Sequence, residues 1–442
     1  MKGKNNERNL TEGIIWKQLL LFALPLLGSS FIQQLYNTVD LLFVGNLLEK
    51  EATAAVGASS LVITCIVGFF TGLSVGTGVI VSLALGAGEK KKIEDTIHTA
   101  MGLSLAGGAV LSVIGIALAE PFLRWMNTPE EILPAAVSYA RIYFLSMIPI
   151  VTYNMNSGIL RALGNSKMPM LIQFAGGIVN IIMDYVSIRY WHMGVDGVAW
   201  ATMGSQGAAA LLSVLSLMRG ERGYRLRWKK LRIQGSIFQE ILKLGVPAGL
   251  QSMVITLSNV FIQYAINGFG VDEIAAFAAY FKVELLIYLP IVAFGQAMMT
   301  FSGQNAGAGK PERVKKGVKV CIAMGIAYAA TSAALLLIFG RAVFGLFQKD
   351  PDVIACGLRI IRITFPFYWL YVILEVLADT IRGMGRSVVP MILILANICV
   401  LRTALLILFT RIFGTLESVA AVYPCAWLAA TLSLTIYWKK NM

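Results

Sequence analysis

Apolar runs long enough to cross a bilayer recur from one end of this 442-residue chain to the other. About twenty consecutive apolar residues span a hydrocarbon core. Inside that core every backbone N–H and C=O must find its partner within the protein. A chain built of such runs is therefore expected to be an all-α, polytopic membrane protein. Composition agrees: 57% of residues are hydrophobic, only 14% are charged and mean hydropathy is +0.72, whereas soluble domains are about a quarter charged. Twelve runs fall at 16–45, 53–84, 95–119, 131–160, 168–190, 195–218, 237–267, 274–305, 316–340, 353–382, 387–411 and 416–438. The opening "MKGKNNERN" is polar, and the first run continues without a small-residue cleavage pattern, so no removable signal peptide is expected.

Basic residues alternate from loop to loop. One set of loops holds Lys2, Lys4, Arg8 and Lys17, then Lys90–Lys92, Arg161 and Lys167, then the segment from Arg219 to Arg232. It continues with Lys310, Arg313, Lys315 and Lys316, then Arg382 and Arg386, and ends at Lys439 and Lys440. The other set holds only Lys50, Arg124, Arg189, Arg341, Lys349 and Arg411. The positive-inside rule places both termini in the cytoplasm. The same asymmetry accounts for much of the net charge of +13, so nucleic acid is not an expected partner. The five cysteines are scattered through apolar runs without a CxxC pair, and read as buried small residues, neither disulfides nor metal ligands.

The chain repeats itself. "RALGNSKMP" at 161–169 recurs as "RGMGRSVVP" at 382–390, and "LGAGEKKKIEDTI" at 85–97 recurs as "AGAGKPERVKKGV" at 306–318. "LPLLG" at 24–28 echoes "VPAGL" at 246–250, and "GVAWAT" at 197–202 echoes "SVAAVY" at 418–423. About twelve transmembrane helices in two parallel six-helix repeats follow: lobes at 1–219 and 236–442, joined by a basic cytoplasmic linker at 220–235. Transporters built from repeats place substrate between the halves and expose it alternately to each side. The linker "RGERGYRLRWKKLR" reads as a topogenic tether, with anionic-lipid binding as the other reading. No GxxxxGK[ST] phosphate loop is present, and the glycines at 86–88 and 307–309 read as helix stops.

Polar residues inside the runs mark function, because an ionised Asp at a bilayer centre costs ~2.5–3.5 kcal/mol. In the first run Gln33, Tyr36, Asn37 and Asp40 lie at i, i+3, i+4 and i+7, on one helical face. In the fifth, Gln173, Gly176, Asn180, Asp184 and Ser187 form one stripe; the sixth carries Thr202, Gln206 and Ser213. At ~1.5 Å per residue, Asp40, Asp184 and Thr202 reach about the same depth, with Asn180 slightly deeper. Two carboxylates in one low-dielectric site repel when both are charged, so a cation is expected there, H⁺ or Na⁺. Gln33, Tyr36, Asn37, Asn154, Ser157 and Gln173 are expected to line a substrate cavity in the first half. Glu284 and Glu375 are the candidate cavity acids of the second half. Glu284 is also placed to pair with Arg402, and Asp379 with Arg382. Pro25 is the expected hinge of the first helix, repeated by Pro247.

These residues carry a resemblance. The first-helix sequence "PLLGSSFIQQLYNTVDLLFVG", "ALGAGE" after the second helix, "RALGNSKMP" after the fourth and "GGIVNIIMDY…MGVDGVAWAT" across the fifth and sixth resemble the multidrug and toxic compound extrusion (MATE) transporters over nearly the whole chain. The resemblance implies a cation site at Asp40, Asn180, Asp184 and Thr202. It also implies antiport of H⁺ or Na⁺ against cationic or amphipathic organic compounds, at the cell membrane, by a monomer with no cofactor beyond the coupling ion. The chain departs from relatives that carry a second-lobe Na⁺ site, because the seventh-run stretch "LGVPAGLQSMVITLSNVFIQYAI" has no acid. A lipid-linked sugar flippase of the same superfamily is the alternative; it calls for a basic cavity, for which Arg141, Lys282, Arg359, Arg362 and Arg402 are candidates. An intramembrane enzyme is not expected, since neither His98 nor His192 stands in a motif with a nucleophile.

Overall fold

The computed structural model describes residues 8–47, 50–220 and 224–442. Lys2, Lys4 and the side chain of Lys50 lie outside the described residues. The described chain is helical throughout. The first half contains α1 (Ile15–Leu47), α2 (Lys50–Ala87), α3 (Lys90–Trp125), α4 (Leu133–Leu145), α5 (Met147–Ala162), α6 (Lys167–Arg189) and α7 (Gly194–Met218). The second half contains α8 (Gly235–Ile266), α9 (Val271–Gly307), α10 (Pro311–Gly345), α11 (Pro351–Thr364), α12 (Tyr368–Gly383), α13 (Val388–Ile394), α14 (Arg402–Phe413) and α15 (Leu416–Asn441). Among the described residues, eleven spans are long and apolar enough to cross a membrane, and α4 with α5, bent by 45°, makes a twelfth when counted as one span.

Two spans expected to be continuous are interrupted at equivalent places in the repeat. Pro149 lacks an N–H and its ring crowds the carbonyl of Leu145, and the chain breaks at Ser146 between α4 and α5. Pro366 does the same in the second half, where Phe365–Phe367 forms a 3₁₀ turn between α11 and α12. A third irregularity has no proline: Leu395–Leu401, between α13 and α14, is π-helical.

The repeated glycine motifs stop helices as expected. Gly88, Gly164, Gly309 and Gly385 all adopt left-handed φ between 70° and 87°. The following N–H reaches back five residues in each case, from Glu89 to Ala84, Asn165 to Leu160, Lys310 to Asn305 and Arg386 to Ile381. Four Schellman-type caps thus end repeat-related helices. Of the cysteines, Cys65, Cys321, Cys356 and Cys399 are buried as expected, and Cys425 is instead exposed.

Packing divides the described chain into two units. One holds Arg8, Asn9 and Pro25–Gly249; the other holds Leu10–Leu24 and Leu250–Met442. The lobe boundary drawn at 220–235 from the sequence is thus not where packing changes: α1 passes from the second unit into the first at Pro25, and α8 leaves the first unit just after Pro247. In the first unit, "GLSVG" of α2 meets "GVPAG" of α8. A Cβ on Gly72 would lie 2.1 Å from the Gly249 nitrogen, and one on Gly76 2.5 Å from the Gly245 nitrogen. Such small-xxx-small pairs let two helix backbones touch. The linker is laced to α3 by Lys230–Glu94 at 2.9 Å and Arg232–Asp95 at 3.0 Å. His98 joins it by accepting the Arg227 N–H at 3.0 Å. In the second unit, Gln304 accepts the Leu10 N–H at 3.0 Å, and Arg313 donates to the Glu12 and Gly13 carbonyls at 2.8 and 2.9 Å.

Candidate functional site

The polar stripe of α6 faces inward. Gln173, Gly176, Asn180, Asp184 and Ser187 are buried, while Leu171, Phe174, Ile178, Ile181, Ile182 and Tyr185 on its other faces are exposed. An apolar rim with a polar core-facing stripe is what a membrane helix needs to carry a carboxylate. Asp184 has no exposed surface, and neither of its carboxyl oxygens has a hydrogen-bond partner. Asp40 of α1 stands beside it, half-buried, with one oxygen also unpartnered. The carbonyl oxygen of Asn180, 2% exposed, completes a set of buried acceptors without donors. Ionised carboxylates only accept hydrogen bonds, so two facing each other cannot satisfy one another unless a proton or a metal cation lies between them.

Thr202 is half-buried on α7, and its hydroxyl donates to the Val198 carbonyl at 3.1 Å. That leaves its lone pairs as acceptors and adds no donor. Two tyrosines of α4 that the sequence reading passed over flank the pair. Tyr139 stands beside both Asp40 and Asp184, and Tyr143 beside Asp40, their ring centroids 6.1 Å apart. Their i, i+4 spacing in "SYARIYF" was the available signal.

The expected first-half cavity residues do not behave alike. Tyr36 and Gln173 share a hydrogen bond close to Asp40. Gln33 and Asn37 are exposed on α1. Asn154 donates to the Ile150 carbonyl at 2.9 Å, and buried Ser157 accepts from Arg161 at 3.3 Å, so both are held in local bonds.

The second unit contains an open cavity of about 490 Å³, and Glu284 and Glu375 both line it. Its walls come from Gln251, Ile255, Asn259 and Gln263 of α8, Glu284 and Tyr288 of α9, Tyr368, Tyr371 and Glu375 of α12, Arg402 at the start of α14, and Tyr423 and Trp427 of α15. Glu284 accepts from the Tyr280 hydroxyl at 3.2 Å and from the Tyr368 hydroxyl. The expected Glu284–Arg402 ion pair does not form; Arg402 donates instead to Ser258 and Asn259, each at 2.9 Å. Asp379 and Arg382 do pair, and Arg382 also donates to Gln251 at 3.1 Å. The other basic candidates are elsewhere: Arg359 pairs with Glu417 at 2.7 Å, Arg141 with Glu120 at 3.4 Å, and Lys282 and Arg362 are exposed. Arg402 alone of the five lines the cavity, which is not the basic chamber a flippase calls for.

The MatE family profile matches the chain twice, over residues 25–186 and 247–408. The chain belongs to the MatE family. The two matches fall on the two repeats, and MatE proteins are transporters, not enzymes. The chain is 30% identical over 419 residues to the probable multidrug resistance protein YpnP of Bacillus subtilis (strain 168), covering 92% of this chain and 91% of that one. It is 24% identical over 387 residues to the multidrug export protein MepA of Staphylococcus aureus (strain MSSA476), covering 86% and 84%. Its fold matches that of a multidrug resistance MATE family transporter in an outward-facing conformation, with a TM-score of 0.92 at 22% identity over 100% of this chain and 98% of that one.

Proposed function

We propose that this MatE protein exports cationic or amphipathic organic compounds across the cell membrane by alternating access. An inward flow of H⁺ or Na⁺ through the Asp40–Asp184 site drives it, with Asn180 and Thr202 as neutral ligands and both termini cytoplasmic. The observation that carries this reading is the pair of neighbouring carboxyls, with both oxygens of Asp184 and one of Asp40 buried without a donor. Two unit charges 4 Å apart repel by about 4 kcal/mol at an effective dielectric of ~20. Binding one cation removes that repulsion and draws α1, α6 and α7 together; releasing it reverses the change. A carboxylate pair with amide and hydroxyl oxygens suits a hard cation such as Na⁺ as well as a shared proton. Each inward charge crossing ~100 mV supplies ~2.3 kcal/mol, enough for about fortyfold accumulation. Likeness to a probable multidrug resistance protein, YpnP, and a multidrug export protein, MepA, supports the choice of small-molecule cargo.

The test is uptake of an organic-cation dye into inside-out proteoliposomes with H⁺ and Na⁺ gradients imposed separately. One gradient should drive uphill transport, and Asp40→Asn should abolish it while leaving the protein inserted. Uphill transport by Asp40→Asn at the wild-type rate overturns the assignment.

A further inference from the structure

The second unit holds the opposite electrostatic problem. Arg402 is 5% exposed, on a helix that crosses the apolar interior. Its hydrogen-bond partners, Ser258 and Asn259, are neutral, and its Nε is buried without a partner. Tyr423 lies under the guanidinium at 5.7 Å. Glu284, the acid across the cavity that acts on Arg402 electrostatically, has one carboxyl oxygen committed to two phenols and lies beyond ion-pair distance. Glu375 lines the same cavity but is engaged there with Tyr371, Asp379 and Arg382. A buried cation without a counter-charge is costly, and an intramembrane charge marks a functional site by default.

The local backbone is built around this residue. The π-helical turn Leu395–Leu401 ends where Arg402 begins, and Ile398 of that stretch lines the same cavity, as does Ile394 just before it. A π segment displaces the side chains that follow it from the regular helical register, and such segments recur at functional sites. Tyr371, Tyr423 and Trp427 provide flat faces beside the guanidinium.

We propose that this cavity is a binding site for an aromatic or amphipathic organic anion, whose carboxylate or phosphate is held by Arg402 and whose apolar body lies on Tyr371, Tyr423 and Trp427. The proposal rests on the reading of the chain as an exporter of organic compounds and adds to it an anion-accepting end. Guanidinium fits both oxyanions by two parallel N–H bonds. The anion can come from a dissolved carboxylate or from a lipid phosphate headgroup.

The test is equilibrium binding to the full chain in nanodiscs with no ion gradient, so that its outcome is independent of coupled export. The probes are 1-naphthoate and 1-naphthylmethylammonium, which share a ring system and differ in charge, read by quenching of tryptophan fluorescence with Trp427→Phe as the site control. Naphthoate should bind at least tenfold tighter than the ammonium in phosphatidylcholine discs. Arg402→Met should lose that preference, and Arg402→Lys should keep part of it. Glu284→Gln, which removes the facing acid and leaves Arg402 intact, should tighten naphthoate binding about threefold and serves if the Arg402 variants do not fold. Displacement of naphthoate by a water-soluble short-chain phosphatidylglycerol added to phosphatidylcholine discs identifies a lipid phosphate as the anion; displacement by benzoate and not by that lipid identifies a dissolved carboxylate. A preference for the ammonium probe, or wild-type naphthoate binding by Arg402→Met, overturns the proposal. Loss of uphill dye transport with naphthoate binding intact would count against the export reading alone.

Discussion

Asp184 and Arg402 pose the same question with opposite sign. Each is a buried ionisable group whose protein partners leave its charge uncancelled. At Asp184 the missing partner is a cation, and this has a direct thermodynamic consequence. A ligand that binds only the folded state stabilises it by RT ln(1 + [L]/Kd), about 2.7 kcal/mol at a hundred times Kd. The wild-type melting temperature should therefore rise with the coupling ion, with Na⁺ at fixed pH or with falling pH at fixed salt. Asp184→Asn should melt at a temperature independent of that ion, because the neutral amide has no charge to cancel. An unaltered ion-dependent shift in the variant would mean that the ion binds elsewhere. Tyr139 gives a finer test. A phenol beside both carboxyls can donate to one of them, and hydrogen bonds to charged groups contribute ~1.5–3 kcal/mol. Such a bond favours the ionised, ion-free carboxylate, so Tyr139→Phe should tighten apparent proton affinity about tenfold or more in the same melting assay and leave the folded yield unchanged.

At the level of the helix, legibility follows from how much of the pattern is local. The α6 stripe could be read directly, because burial there obeys helical period and one face is apolar. By the same period Asp40 falls on the polar face of α1. The separation of α4 from α5 was not legible, although Pro149 announces the break, because an apolar run of transmembrane length masks a proline inside it. The cavity of the second unit was not legible either. Gln251, Ile255, Asn259 and Gln263 recur every four residues on α8, but they mean little until Tyr371, Glu375 and Tyr423 come from distant helices to face them. That convergence is tertiary. The α2–α8 crossing is also tertiary, though each partner advertises it with a GxxxG. Gly245→Val is a strong test of the crossing. Even a Cβ at Gly245 would lie 2.7 Å from the Leu73 Cα, which is backbone and cannot rotate aside. Overpacking of this kind costs ~1–3 kcal/mol, so a fall of several degrees in melting temperature is expected. An unchanged melting curve would show that the helices separate at no cost.

For the whole molecule, the bilayer made most of the fold legible. It limits the chain to helices, and the repeated motifs at 85–97 and 161–169 showed that there are two sets of them. The division into packing units was not legible, because it does not follow the linker. It cuts through α1 and α8, at Pro25 and just beyond Pro247, so each unit is completed by part of a helix that begins in the other. Sequence patterns report faces and ends of helices, and neither changes where a continuous helix changes neighbours. Pro25 is buried and lacks the N–H that would bond the Leu21 carbonyl. The helix is thus weakest where it leaves one unit for the other, which is where a hinge would have to lie if the units move during transport. Pro25→Ala restores that bond and stiffens the junction. Turnover in proteoliposomes should then fall several-fold, while dye binding in detergent stays at the wild-type affinity, because no binding residue has changed. A variant that transports at the full rate would make Pro25 a fixed element of packing; one that loses binding and turnover together would place it in the site itself.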